Sequence, residues 1–257
     1  MIVVENYGKT YKDIVAASGI HFQVNPGEIL GLVGPNGAGK TTTLRAICGI
    51  IQPTEGSISV AGHDIVKDPV EAKKKLAFIP DDPNLFDSLT VWEHLYFMAS
   101  CYHVENFEDK AERLLEMFDL SEKRHTLARE LSRGMKQKVA IGCAYIHDPK
   151  AILFDEPLTG LDPKAIRTLK KTIVEYAEAG SAIIISSHLL SLVEDLCTNL
   201  LIMHQGACLF FGPIEQAHRQ FGKEDADSSL EELFFRATEG ESADALSSQN
   251  APGDQGR

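Results

Sequence analysis

The chain has 257 residues, 44% hydrophobic and 24% charged, enough apolar material for one large α/β domain or two small ones. A formal net charge of −12 opposes a polyanionic partner, so no nucleic acid is expected, since such binding needs a basic face. Cysteines at positions 48, 101, 143, 197 and 208, none in CxxC spacing, read as reduced thiols rather than a zinc site or disulfide framework, and no basic-then-apolar leader opens the chain.

Taken in chain order, short apolar runs at 20–24, 28–33, 56–60, 76–79, 151–154, 182–186, 200–203 and 207–211 alternate with helical patterns. This predicts an α/β fold with a mostly parallel sheet covered by helices, many of its strands apolar on both faces. The first strands, joined to 56–60 by short connections, are expected to form a small antiparallel β subdomain. Between 83 and 147 no strand signal occurs. There Trp92, Leu95, Tyr96 and Ala99, then Leu114, Leu115 and Phe118, recur at helical spacing, which reads as an inserted α-helical subdomain.

The uncharged stretch 196–214 is broken by Asn199, by His204-Gln205-Gly206 and by Gly212-Pro213. It therefore reads as turns between short strands rather than a membrane span. A C-terminal helix is expected over 221–236 and a disordered acidic tail over 237–257. Residues 222–257 carry nine acidic and three basic side chains, read as a solvated face, with docking on a partner as the alternative.

Gly34-Pro35-Asn36-Gly37-Ala38-Gly39-Lys40-Thr41 matches GxxxxGK[ST] in full, after an apolar strand and before a helical run. Glycines let successive amide N–H groups turn inward around an anion, and the helix that follows adds its positive dipole end. Lys40 is expected to reach the β- and γ-phosphates, the Thr41 hydroxyl to hold Mg²⁺, and Thr42 to help at the α-phosphate. A Gly-rich turn before an ordinary helix is the bland alternative.

The strand 151–154 ends in Asp155-Glu156. Adjacent carboxylates at the end of a buried strand are costly unless a cation offsets them. Mg²⁺ would do so at Asp155, leaving Glu156 to polarise the attacking water; solvated acids at a loop start are the alternative. After the strand 182–186 comes His188, usually a structural residue in such a place. Here it leaves the sheet at the same edge, where it could meet the γ-phosphate and orient the water.

Between these lies Leu131-Ser132-Arg133-Gly134-Met135-Lys136-Gln137-Lys138, leading into an apolar helical run. Alone it reads as a helix capped by Ser132. With Lys40, Asp155-Glu156 and His188 at their spacings, it resembles the signature of ABC (ATP-binding cassette) ATPases, commonly LSGGQ, keeping Leu131, Ser132 and Gly134 and departing at Arg133 and Met135. The resemblance spans 2–220. It includes Tyr11, matching the aromatic that stacks on adenine, and Thr159-Gly160-Leu161-Asp162, matching the loop that crosses the dimer interface.

The resemblance implies a P-loop NTPase core (1–82 and 148–220, with the β subdomain) and a helical subdomain over 83–147, within one ATPase domain over 1–236. It also implies Mg²⁺ and ATP, and a head-to-tail pair of ATPase subunits, identical or not. Each ATP would lie between the Lys40 loop of one copy and Ser132–Met135 of the other. Two departures stand out. Where the family usually carries a glutamine touching Mg²⁺, this chain has Asp81, expected to replace it as a metal contact. Met135 stands where a glutamine often meets ribose, and Arg133 reads either as a surface residue or as a charge near the sandwiched nucleotide.

The form LSRGMKQK resembles the exporter branch. It implies an ATPase in the cytoplasm, peripheral on the inner face of the cell membrane. This would drive transport through a separate integral-membrane subunit, received in a groove between the helical insertion and the Asp81 loop. A soluble single-cassette ATPase of macromolecular assembly is the competing reading. An inactive heterodimer partner is a third, opposed by Glu156 and His188.

Overall fold

The computed structural model describes residues 1–221 together with 230, 231, 234 and 235. Two long strands open the chain, β1 (Ile2–Tyr11) and β2 (Ile14–Val24), followed by β3 (Ile29–Val33) and helix α1 (Lys40–Ile47). Then come β4 (Glu55–Val60), the two-residue β5 (His63–Asp64), α2 (Pro69–Lys74) and β6 (Leu76–Ile79). Between β6 and the next strand lie α3 (Val91–Cys101), α4 (Phe107–Met117) and α5 (Arg133–Tyr145). The chain continues through β7 (Ala151–Asp155), α6 (Pro163–Glu178), β8 (Ala182–Ser186), α7 (Leu190–Leu196), β9 (Asn199–His204), β10 (Ala207–Pro213) and α8 (Ile214–Phe221).

The fold class is the expected one. Six strands form a sheet in the order β10-β9-β3-β8-β7-β6, parallel except where β10 returns along β9. Four more form an antiparallel sheet in the order β2-β1-β4-β5. Every residue of β3, β7 and β8 is buried, so these strands need cover on both faces. Their register makes that cover orderly. Leu30, Ile184 and Leu153 align on one face and belong to the core shared with α1 and the small sheet. Ile29, Ile183 and Ile152 align on the other, within the core shared with α5, α6 and α7.

Three boundaries differ from expectation. β1 carries no strand signal in IVVENYGKTY because polar residues interrupt it, and its pairing with β2 is irregular at three places. β2 begins six residues before the expected 20, in a stretch where Ile14 and Val15 are exposed and alternation fails. α8 begins at Ile214, within the stretch assigned to the core; the expected helix over 221–236 falls mostly, and the acidic tail over 237–257 wholly, outside the described residues. Among the described residues no helix is long and apolar enough to cross a membrane.

Candidate functional site

β3, β8 and β7 are neighbours in the sheet and run parallel, so the chain leaves all three at one edge, where open α/β sheets bind ligands. β3 passes into the loop 34–39. A Cβ on Gly39 would stand 2.4 Å from the Ala16 carbonyl oxygen, and its φ of 101° is one that side-chain-bearing residues rarely adopt. α1 then starts at Lys40 without a side-chain cap. Its first-turn amides therefore have no intrahelical acceptor and adjoin a cavity of about 180 Å³ lined by Ala16 and residues 36–42.

Lys40 Nζ donates to the loop's own carbonyls, 2.6 Å to Gly34 and 3.2 Å to Pro35. Burial pulls its ammonium below the usual value, and Glu156 and Asp155 partly offset this. The Thr41 hydroxyl donates to Asp155 Oδ2 at 3.0 Å. Burial pushes the Asp155 carboxyl up, with the Thr41 bond opposing. This is a carboxylate that a cation would stabilise, and a hydroxyl beside a carboxylate is the hard-oxygen set that suits Mg²⁺. The inward amides and the Lys40 ammonium likewise suit a polyphosphate, so the residues present fit both groups.

Glu156 follows β7 at φ 49°, a conformation few non-glycine residues adopt. Its carboxylate is fixed from three directions. The His188 backbone N–H donates to Oε1 at 3.0 Å, Ser187 Oγ donates to Oε2 at 3.2 Å, and His188 Nδ1 lies 2.8 Å from Oε2. Lys40, Thr41, Asp155, Glu156 and His188 thus form one connected cluster. Gly34, Pro35, Asn36, Gly37, Ala38 and Thr42 shape the loop beside it.

Other expected residues lie elsewhere. Tyr11 is exposed, with Lys9 Nζ 5.0 Å from its ring centre, and does not line the cavity, where Ala16 of the same hairpin stands instead. Ser132 caps α5, its Oγ accepting from the Met135 N–H at 3.3 Å. Gly134 packs so closely on the loop after β7 that a Cβ would fall 2.2 Å from the Gly160 carbonyl oxygen. Asp162 has partners within its own chain. It caps α6 through the Ala165 N–H at 2.9 Å and receives Lys138 Nζ at 2.8 Å. The Lys138 hydrogen bond, helped by that amide, holds its carboxyl down at about 2.

Asp81, expected to contact the metal held by Thr41 and Asp155, pairs with Arg133 Nη2 at 3.1 Å. The guanidinium that opens α5 faces the loop after β6 and takes its carboxylate. Sequence reasoning missed Ser187, Ala16 and Lys138. Lys138 had a signal, four residues beyond Gly134 and so on the same face of α5, the face that packs on Gly160; Ala16 had none. Between α3, α5 and the loop after β6 runs a largely apolar groove of about 420 Å³, lined among others by Phe78, Pro80, Phe86, Phe97 and His147.

Comparison with known proteins gives consistent results. The sequence model of the family described as ABC transporter matches residues 17–159. The chain is 36% identical to the ABC-type transporter ATP-binding protein EcsA of Bacillus subtilis, over 85% of its own length and 89% of that protein. It is 34% identical to the ABC transporter ATP-binding protein NatA of the same organism, over 88% and 94%. Identity to the lipopolysaccharide export system ATP-binding protein LptB of Haemophilus influenzae is also 34%, over 84% and 92%. Among solved structures, an ATP-binding subunit of an ABC transporter matches with a TM-score of 0.88 at 34% identity, covering 92% of this chain and 99% of that one. A dimeric ATP-binding cassette in a post-hydrolysis state, bound to ADP and Pi, matches at 0.74 and 26% identity, covering 83% and 99%.

Proposed function

Because the chain belongs to the ABC transporter family and is an ATPase of it, we propose that it is the motor of an exporter whose membrane-spanning part is a separate subunit. The observation that carries this reading is the connected cluster at the sheet edge, from Lys40 through Thr41 and Asp155 to Glu156 and His188.

In this reading Lys40 leaves the carbonyls of Gly34 and Pro35 and takes the β- and γ-phosphates, while the loop amides and Thr42 hold the rest of the triphosphate. Thr41 and Asp155 hold Mg²⁺, which neutralises phosphate charge. Glu156 accepts a proton from the attacking water, help worth about 10²–10⁴ in rate. His188 keeps the Glu156 carboxylate in place and orients the water. Tyr11 stacks on adenine once the exposed hairpin tip closes over it. Two copies sandwich two ATP molecules head to tail, with Ser132 and Gly134 of one copy facing the nucleotide of the other and Asp162 at the boundary between them.

One ATPase domain covers 1–236, with 83–147 as a helical arm on the nucleotide-binding core. The apolar groove beside that arm receives a helix of the membrane subunit, and the protein sits peripherally on the cytoplasmic face of the membrane. Export is inferred from the form LSRGMKQK and from similarity to an export-system protein.

The test is Glu156→Gln in the full chain. The variant is expected to bind ATP, to lose phosphate release by about 10²–10⁴, and to accumulate as a dimer in sedimentation. Normal turnover would remove Glu156 from this role. Co-purification with a multi-span membrane protein, and ATP-dependent efflux from vesicles containing both, checks the coupling.

A further inference from the structure

Two residues that depart from the family's usual form stand opposite each other. Arg133 Nη2 meets Asp81 Oδ1 at 3.1 Å, and the two side chains are 53% and 49% exposed. One turn further along the same face of α5, the fully buried Gln137 donates to the Pro80 carbonyl at 3.5 Å. Two consecutive turns of α5 thus touch two consecutive residues of the loop after β6. The stem of Arg133 lies against Gly160, where a Cβ would be 3.4 Å from Arg133 Cγ. Within one copy, then, a single ion pair joins the signature turn to the loop after β6.

Resting on the head-to-tail reading above, we propose that Asp81–Arg133 is an exchange contact between the two nucleotide sites of the dimer. Arg133 gives up Asp81 for the γ-phosphate held by the other copy. A guanidinium forms the same forked bonds to phosphate as to carboxylate, and phosphate carries more charge. A half-exposed pair contributes little to stability, so it can be broken cheaply. That suits a contact that changes hands and would be a poor choice for a strut. Arg133 binds phosphate in this scheme, and Asp81 is a positioning residue acting through it.

The experiment uses the full chain carrying Glu156→Gln and follows dimer formation by sedimentation across a Mg-ATP series. Asp81→Asn is expected to lower the half-point about two- to fivefold, because Arg133 starts unpaired. Arg133→Ala should raise it about tenfold or more, the scale of a hydrogen bond to a charged group, and Arg133→Lys should recover most of that loss. In the Arg133→Ala background, Asp81→Asn should change nothing. The reversed pair, Asp81→Arg with Arg133→Asp, should keep the nucleotide-free melting temperature of the parent yet fail to dimerise. An Asp81→Asn effect that persists without Arg133, or an Arg133→Ala protein that dimerises like its parent, overturns the proposal. If the Glu156→Gln parent itself stays monomeric with Mg-ATP, the head-to-tail reading falls and the exchange with it.

Discussion

At Glu156 the backbone takes φ 49°, a strain of roughly 1–3 kcal/mol that surrounding contacts must hold. The bonds from Ser187 and His188 are those contacts. Glu156 was legible in the sequence because two carboxylates closed an apolar strand. Ser187 was not, because a serine before a histidine carries no signal until the strands are aligned. Gly134 makes a sharper case. With Gly160's carbonyl oxygen 2.2 Å from where a Cβ would stand, Gly134→Ala must push backbone apart. It is expected to cost about 1–3 kcal/mol, measured as a lower urea midpoint with an unchanged slope. Asp162 supplies a pH prediction. Its carboxyl is held at about 2 against an ordinary 3.8, so the Lys138 contact stabilises the fold fully above the ordinary value. That contribution is lost as pH falls from 3.8 to about 2. The side chain is 51% exposed, and solvent screening keeps the effect small. Unfolding curves of wild type and Asp162→Asn should differ by a constant amount above about pH 5 and converge toward the acid end of that window.

At the scale of elements, one helix start was legible: Ser132, read from the sequence as a cap, does open α5, because side-chain chemistry at a cap is local and survives in one dimension. Thr90 opens α3 with a capping box to Glu93 that sequence reading passed over. Ser132→Ala is expected to cost about 0.5–2 kcal/mol, visible as faster amide exchange in the first turn of α5 while its C-terminal half stays protected. Strands behave differently. β3, β7 and β8 were legible because burial on both faces leaves a continuous apolar run. β1 and the first half of β2 were not, since an irregular ladder with one wet face interrupts the alternation on which the reading depends. Tyr11 stands exposed at the end of that ladder.

At the scale of the molecule, α5 ties the helical arm inserted between β6 and β7 to the loops that follow both strands. α5 meets the Asp81 loop through Arg133 and Gln137, Gly160 through Gly134, and Asp162 through Lys138. Each of those contacts sits near a segment that the cassette reading places at a nucleotide, so a shift of the arm cannot leave the sites unaltered. The general fold followed from periodicity; these ties did not, because they join residues tens of positions apart through single side chains. Nucleotide binding should register globally. At a Mg-ATP concentration one hundred times the dissociation constant, binding adds about 2.7 kcal/mol, roughly 5–10 °C in melting temperature for a chain of this size. Lys40→Ala should show little shift at that concentration in the same scanning experiment.

The register of β3, β8 and β7 has a consequence for distances. Neighbouring strands stand about 4.7–4.9 Å apart, so the exits toward Lys40 and Glu156 are two such intervals apart, with the exit toward His188 between them. The reach across the reaction centre is therefore set by main-chain amides repeating along a sheet, a gauge that side-chain replacement in the interior barely alters. Insertions in the connecting loops can change what enters this edge of the protein, while the span over which phosphate and water are brought together stays the same.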